Sequence, residues 1–262
     1  MAATATAAAP SGATTRQFGI ELQLGRIAPP VDGETIARLR EAVLTHGFVV
    51  LRDQRFTDAE LRALGRQFGT IDDRVIKYSS VGPVEIKDAT LWHHHSNCDG
   101  ALDDLIVYYT PAVPGPSEGT IEFFDSTAWL AALTPADREW ASQRKARHDY
   151  RSVAHAGIPP IANPEWQPMI TRRDVDGLVQ QAFYLGDHAV EIEGVDDVRN
   201  PSPATPFGRI RKLAEDPKLH YVHEARPHDL ILWDLRMLAH RSRPWASRTL
   251  RVIHEVIIRR VS

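Results

Sequence analysis

The segment Trp92-His93-His94-His95-Ser96-Asn97 is the densest cluster of metal-ligating side-chain types in the sequence. In an extended segment, side chains alternate in direction, so His93 and His95 project to one side and His94 to the other. Two imidazoles at positions i and i+2 can bite one metal ion. Neutral imidazole suits Fe, Zn, Cu or Ni, and a further ligand must come from elsewhere in the chain. The run taken alone fits a solvated loop at least as well, because histidine is commonly exposed or half-buried. The best third donor is His240, which closes the stretch from Asp229 through Trp233, Asp234 and Arg236, just past an apolar strand.

The elements that must carry these residues are legible from periodicity. Ile36, Leu39, Ala42 and Val43 recur at helical spacing between Glu34 and Thr45, and Gly47 ends that helix before the apolar strand Phe48 to Leu51. Thr57 and Glu60 form a capping-box pair opening a second helix that Gly69 terminates. From Ile71 to Leu91 the mixed polarity, with Gly82 and Pro83, reads as an irregular loop. The β-branched and aromatic runs Leu105 to Tyr109 and Thr120 to Phe124 read as strands that pair as neighbours. Thr127 to Leu133 and Pro135 to Arg147 read as helices, the second with Thr134 as N-cap and Pro135 in the first turn. Gly157 to Pro168 holds four prolines and reads as a linker or lid. Phe207 to Ala214 is a short helix, and Leu230 to Trp233 and Leu250 to Ile258 are strands. No Gly-rich phosphate loop follows a strand, which disfavours a dinucleotide fold.

At 262 residues, with 43% hydrophobic and 25% charged side chains, the chain has the composition of a single packed domain over 18–262. The Ala/Thr-rich opening, 1–17, has neither a basic region nor an apolar stretch and reads as a disordered tail. An organellar transit peptide has a similar composition and stays an alternative. A net charge of −3 offers no basic field for nucleic acid or anionic lipid. No apolar run reaches the length of a membrane span. Cys98 has no partner for a disulfide, which fits a reducing, cytoplasmic setting. The expected partner is a small molecule. Oligomeric state stays open, a homo-oligomer included.

Taken together these segments resemble the taurine dioxygenase and 2,4-dichlorophenoxyacetate dioxygenase (TauD/TfdA) family of Fe(II)/2-oxoglutarate oxygenases, over nearly the whole chain. Trp92-His93-His94-His95 is similar to the family's Trp-His-x-Asp segment, Glu118-Gly119-Thr120 to its Gly-Asp-Thr-like segment, and His228-Asp229 through His240-Arg241 to the segment carrying its distal histidine. Arg251-Val252-Ile253-His254-Glu255 is similar to the family's following Arg-x-x-His-Arg strand. The resemblance implies a mainly β fold with flanking helices, a double-stranded β-helix or jelly roll with the metal at its mouth. It also implies Fe(II) at His93, His95 and His240, 2-oxoglutarate at Thr120 and Arg251, and O₂ as the second cosubstrate. The implied reaction is hydroxylation or desaturation of a small-molecule C–H bond. A guanidinium suits a distal carboxylate because its paired donors grip two oxygens at once.

Two positions depart from the family. His95 stands where the family has a metal-binding aspartate, so the site becomes three neutral imidazoles and loses a negative charge. Glu255 stands where the family has a second arginine that binds the substrate's anion. Arg251 and Glu255 are four apart on a strand and therefore share a face, about 13 Å apart along it. Glu255 then either pairs with Arg251 or Arg248, supplies negative charge near the metal, or recognises a cationic group. His94, pointing away from the metal, is read as packing more than as substrate contact. Asn97, Lys77 and Tyr78 are candidates for the substrate side of the pocket. Two other readings stand beside the oxygenase: a 2-oxoglutarate-independent three-histidine dioxygenase whose substrate chelates iron, and a non-catalytic metal-binding relative.

Overall fold

The computed structural model describes residues 17–72, 75–81, 91–95, 103–115, 118, 120–149, 165–175, 177–243, 245 and 248–261, with the backbone only at 78, 80, 81 and 178. Helix α1 (Gly33–His46) begins where the Asp32 carboxylate accepts from the Thr35 amide. It stops at Gly47, whose φ of 84° suits a residue without a Cβ. Strand β2 (Phe48–Leu51) follows, and then α2 (Asp58–Phe68), opened by the Thr57/Glu60 capping box.

A seven-stranded sheet forms one wall of the barrel, in the order β1 (Ile20–Glu21), β2, β13 (Asp229–Asp234), β5 (Leu105–Ala112), β15 (Leu250–Val261), β3 (Gly69–Ile71), with β4 (Ile76–Val81) also on β15. Its central strands are buried on both faces, and their alternation sorts the side chains. Val49, Leu51, Leu105, Val107, Tyr109, Leu230 and Leu232 join Leu39, Val43, Leu61 and Leu64 of the two helices. Phe48, Val50, Ile106, Tyr108, Ile231 and Trp233 face the other way, into the barrel, with Ile253 and Ile257 of β15. Burying such side chains is worth about 1.5–3 kcal/mol each, and this two-sided apolar sheet anchors the domain.

The opposite wall is a three-stranded sheet, β12 (His220–His223), β6 (Ile121–Asp125), β14 (Leu238–Ser242). Here Ile121 and Phe123 point into the barrel, while Phe124 and Ala239 point outward to a third core with Trp129, Leu130, Phe183 and Ile210. That outer layer is built from α3 (Ser126–Ala132), α4 (Pro135–Ser142), α5 (Pro206–Leu213) and two small sheets. The sheets are β11 (Ala189–Ile192), β7 (Lys145–His148), β8 (Trp166–Pro168), and the hairpin of β9 (Ile170–Val175) with β10 (Leu178–Phe183).

Several expectations are corrected. The strands at 105–109 and 121–125 are not neighbours: β5 pairs with β13 and β15, β6 with β12 and β14, on opposite walls. The region after Ile71 contains β4, which pairs with β15 over Leu250–Glu255. The second helix of the middle segment ends at Ser142, and Lys145–His148 is a strand held between β11 and β8. Trp166–Pro168, expected in the linker, is strand β8, and 157–164 lie outside the described residues, as do 1–16 and Cys98. Strands β2 and β5, both from the first half of the chain, are central to the main wall. Among the described residues no helix is long and apolar enough to cross a membrane.

Candidate metal centre

The two histidine segments meet through their backbones. His93 and His240 form a bridge in which the His93 amide donates to the His240 carbonyl at 3.1 Å and the His240 amide to the His93 carbonyl at 2.9 Å. His240 stands on β14, opposite Phe123, so its ring turns into the barrel with that inward residue. The sequence placed it just past a buried strand; it lies on a strand of its own, reached from β13 by the turn at Leu235 to Met237. The rings of His93 and His240 are 4.3 Å apart, and His95 stacks over His240 at 6.2 Å.

The expected alternation of the histidine run is what the structure places. His94 is fully buried on the far side, its Nδ1 donating to the Leu235 carbonyl and its Nε2 accepting from the Ser126 hydroxyl, with its ring on Tyr184 at 4.3 Å. Burial holds it neutral, its pKa pushed down to about 4. His93 donates Nδ1 to the Leu91 carbonyl at 2.8 Å, which leaves Nε2 as its lone-pair nitrogen. His240 Nδ1 is buried without a hydrogen-bond partner. Desolvation, reinforced by His93, His95, His94 and His188, holds the His240 ring well below the ordinary imidazole value. Desolvation also lowers His95, with His93 and Arg259 adding to it. Neutral imidazole is the ligating form, and burial favours it at His95 and His240.

The positions of the rings fall short of a closed site. Among the described residues no three His, Cys, Asp or Glu side chains converge closely enough to hold a metal ion as they stand. His93 and His240 are a ready pair, and the ring 6.2 Å from His240 is the third in reach from the motif. A fourth imidazole, His188, which the sequence reading missed, stacks on His93 at 5.3 Å. No periodicity or motif marks the loop that carries it.

Beside this cluster lies a polar niche. Thr120 is 2% exposed and its hydroxyl has no hydrogen-bond partner. The Thr120 carbonyl accepts from the Arg243 amide, next to Ser242, and Ser242 is two residues along β14 from His240 on the same face. Arg251, 5% exposed, points into the barrel and donates to Tyr108 Oη at 3.0 Å and to Ser242 Oγ at 3.3 Å, with Trp245 beneath its guanidinium at 5.4 Å. Its Nε is buried without a partner. Tyr108 contacts Trp233 at 4.9 Å and Trp233 contacts His240 at 5.2 Å, a continuous path of rings from the guanidinium to the histidines. Thr120 Oγ1 and Arg251 Nε are thus two buried donors without acceptors, and leaving such groups unpaired is costly.

The remaining expected residues separate. Glu255 shares the inward stripe with Arg251, between Ile253 and Ile257 and opposite Tyr108. Lys77 points to the other side, where it pairs with Asp58 of α2 at 2.6 Å, so it does not join the cluster. Tyr78 sits on β4 opposite Ile253, its side chain outside the described residues, and Asn97 lies outside them entirely.

The profile of the taurine catabolism dioxygenase TauD, TfdA family matches residues 10–256. The chain belongs to this family. Its TauD/TfdA kinship agrees with two relatives: an (S)-phenoxypropionate/alpha-ketoglutarate-dioxygenase of Delftia acidovorans, 24% identical over 93% of this chain and 91% of the relative, and an alpha-ketoglutarate-dependent 2,4-dichlorophenoxyacetate dioxygenase of a Burkholderia species, 26% identical over 76% and 68%. The crystal structure of AAD-2 in complex with Mn(II) and N-oxalylglycine superposes with a TM-score of 0.74 at 21% identity, covering 92% of this chain and 95% of that one. The mainly β jelly roll with flanking helices, and membership of a dioxygenase family dependent on Fe(II), 2-oxoglutarate and O₂, are thereby borne out.

Proposed function

We propose that the barrel holds Fe(II) through His93, His95 and His240 and uses 2-oxoglutarate and O₂ to hydroxylate or desaturate a C–H bond of a small molecule. What supports this is the pairing of a neutral histidine cluster with two unsatisfied buried donors, Thr120 Oγ1 and Arg251 Nε. Arg251 offers a fixed guanidinium to the distal carboxylate, Tyr108 and Ser242 hold that guanidinium in place, and Thr120 adds a hydroxyl. Trp233, Phe123 and Tyr108 form an apolar wall that keeps water away. Bound there, Fe(II) with the keto acid and O₂ supplies an oxidant strong enough for an unactivated C–H bond, the keto acid leaving as succinate and CO₂. On this reading His93 and His240, fixed by their backbone bridge, and His95 would be the residues that hold the ion.

A dioxygenase whose substrate itself chelates the iron leaves Arg251 and Thr120 without an acceptor. The two readings separate on one experiment. Anaerobic Fe(II) with 2-oxoglutarate gives a weak visible charge-transfer band, and air then releases succinate. Full metal occupancy without that band would overturn the proposal.

A further inference from the structure

Glu255 is 6% exposed, its Oε2 is buried without a hydrogen-bond partner, and its neighbours along the inward stripe are Ile253 and Ile257. A buried carboxyl is ordinarily paired, because an ionised one left alone is among the costliest groups a core can hold. Arg251 is the charge that acts on it, yet that guanidinium turns to Tyr108 and Ser242 and forms no ion pair with Glu255. Arg259, next but one along the same alternation, is matched by Asp103 at 2.9 Å and Asp72 at 2.7 Å. Among the described residues, then, Glu255 is a carboxyl inside the barrel that forms no ion pair. Burial pushes it up to about 8, so it stands protonated at neutral pH, waiting for a partner that would favour its ionised form.

We propose that the substrate carries a basic nitrogen, an amine or amidine, which Glu255 receives inside the barrel. This rests on the proposed function above, in which Arg251 is occupied by the keto acid's carboxylate and so does not repel a second cation. The relatives are named for phenoxypropionate and 2,4-dichlorophenoxyacetate, both carboxylates. A carboxylate entering beside Glu255 would meet either a like charge or an acid with one proton to share, and Arg251 would already be engaged. An ammonium group entering the same place displaces the carboxyl proton to solvent and forms a buried, charge-assisted hydrogen bond.

The test uses the full chain loaded anaerobically with Fe(II) and 2-oxoglutarate, and probes matched in shape: 2-phenoxyethylamine against phenoxyacetate, and butylamine against butyrate. Dissociation constants are read from the perturbation of the charge-transfer band, which also controls for keto-acid binding in each variant. We expect the amine of each pair to bind at least roughly ten-fold more tightly than its acid, as a charge-assisted hydrogen bond of about 1.5–3 kcal/mol implies. Glu255→Gln should erase that preference, and Glu255→Arg should reverse it. Equal or tighter binding of the acids, binding of neither amine, or unchanged amine affinity in Glu255→Gln overturns the inference while the band persists. If the wild-type band never forms, the proposed function falls first and takes this inference with it.

Discussion

His93 and His240 exchange both backbone hydrogen bonds, at 3.1 and 2.9 Å, so the two histidine segments are stitched together by the backbone alone. Ring placement is therefore a property of the fold, and the imidazoles can be removed without cutting the bridge. His93→Ala or His240→Ala should abolish tight Fe(II) or Co(II) binding while leaving the thermal midpoint of the metal-free protein within a few degrees. Metal content after dialysis and a melt of the same sample check both halves. A collapse of the melt would mean that the rings, and not the backbone, hold the segments.

The third ring is the one that differs in kind. His95→Asp places a carboxylate where the cluster is short of negative charge and gives the two-histidine, one-carboxylate set that suits non-haem Fe(II). The variant is expected to bind Fe(II) more tightly than the wild type in competition titrations. Looser binding would show that three neutral imidazoles are what the cavity was shaped to hold.

On the proposed reading, Arg251 and Thr120 divide the binding of 2-oxoglutarate between them. Arg251→Lys keeps the charge but loses the planar fork held by Tyr108 and Ser242, and Thr120→Val removes the unpaired hydroxyl without changing volume. Each lost hydrogen bond to a charged ligand is worth about 1.5–3 kcal/mol, so the 2-oxoglutarate dissociation constant should rise roughly 10- to 100-fold in either variant. Metal affinity measured without the keto acid should stay put. Parallel loss of both would remove the niche from the keto-acid site.

Asp234 secures the turn that delivers His240. Its carboxylate is ion-paired with the buried Arg173 and accepts from the Arg236 amide at 3.0 Å and the Met237 amide at 3.1 Å. Asp234→Leu strands the arginine and leaves two amides unbonded, which should cost about 3–5 kcal/mol in chemical unfolding. An effect below 1 kcal/mol would show that Asp104, at 3.7 Å, is counterion enough.

Side-chain direction was more legible in the sequence than strand pairing. Period-two alternation predicted that His94 turns away from His93, and the structure places it on Leu235 and Ser126. Helix caps at Thr57, Thr134 and Gly47 were readable because they are local chemistry. Pairing partners were not: the apolar runs of β5 and β6 look alike, and only the crossing of a jelly roll between walls sends them apart. Strand β4 escaped notice because Lys77 and Ser79 interrupt its apolar pattern where it pairs with β15 alone. Tyr108, Ser242 and Trp245, which hold Arg251, are placed by long-range packing that no spacing encodes.

His148, outside the histidine cluster, is one of several buried neutral rings whose protonation should cost stability in acid. It is fully buried, its Nε2 accepts from the Gly186 amide at 3.2 Å, and burial pushes its pKa down to about 3. The folded-state value lies below the unfolded one of about 6.5, so the unfolded chain binds one proton more throughout that window. The stability from the neutral ring is fully present above pH 6.5 and is lost as pH falls toward 3, at up to about 1.4 kcal/mol per pH unit. His148→Gln keeps an acceptor for Gly186 but has nothing to titrate, so its stability should fall less steeply over the same range. Denaturant midpoints measured between pH 4 and 7 decide it: identical slopes for the two proteins would mean that the buried ring is protonated, or released to water, well before the fold is lost.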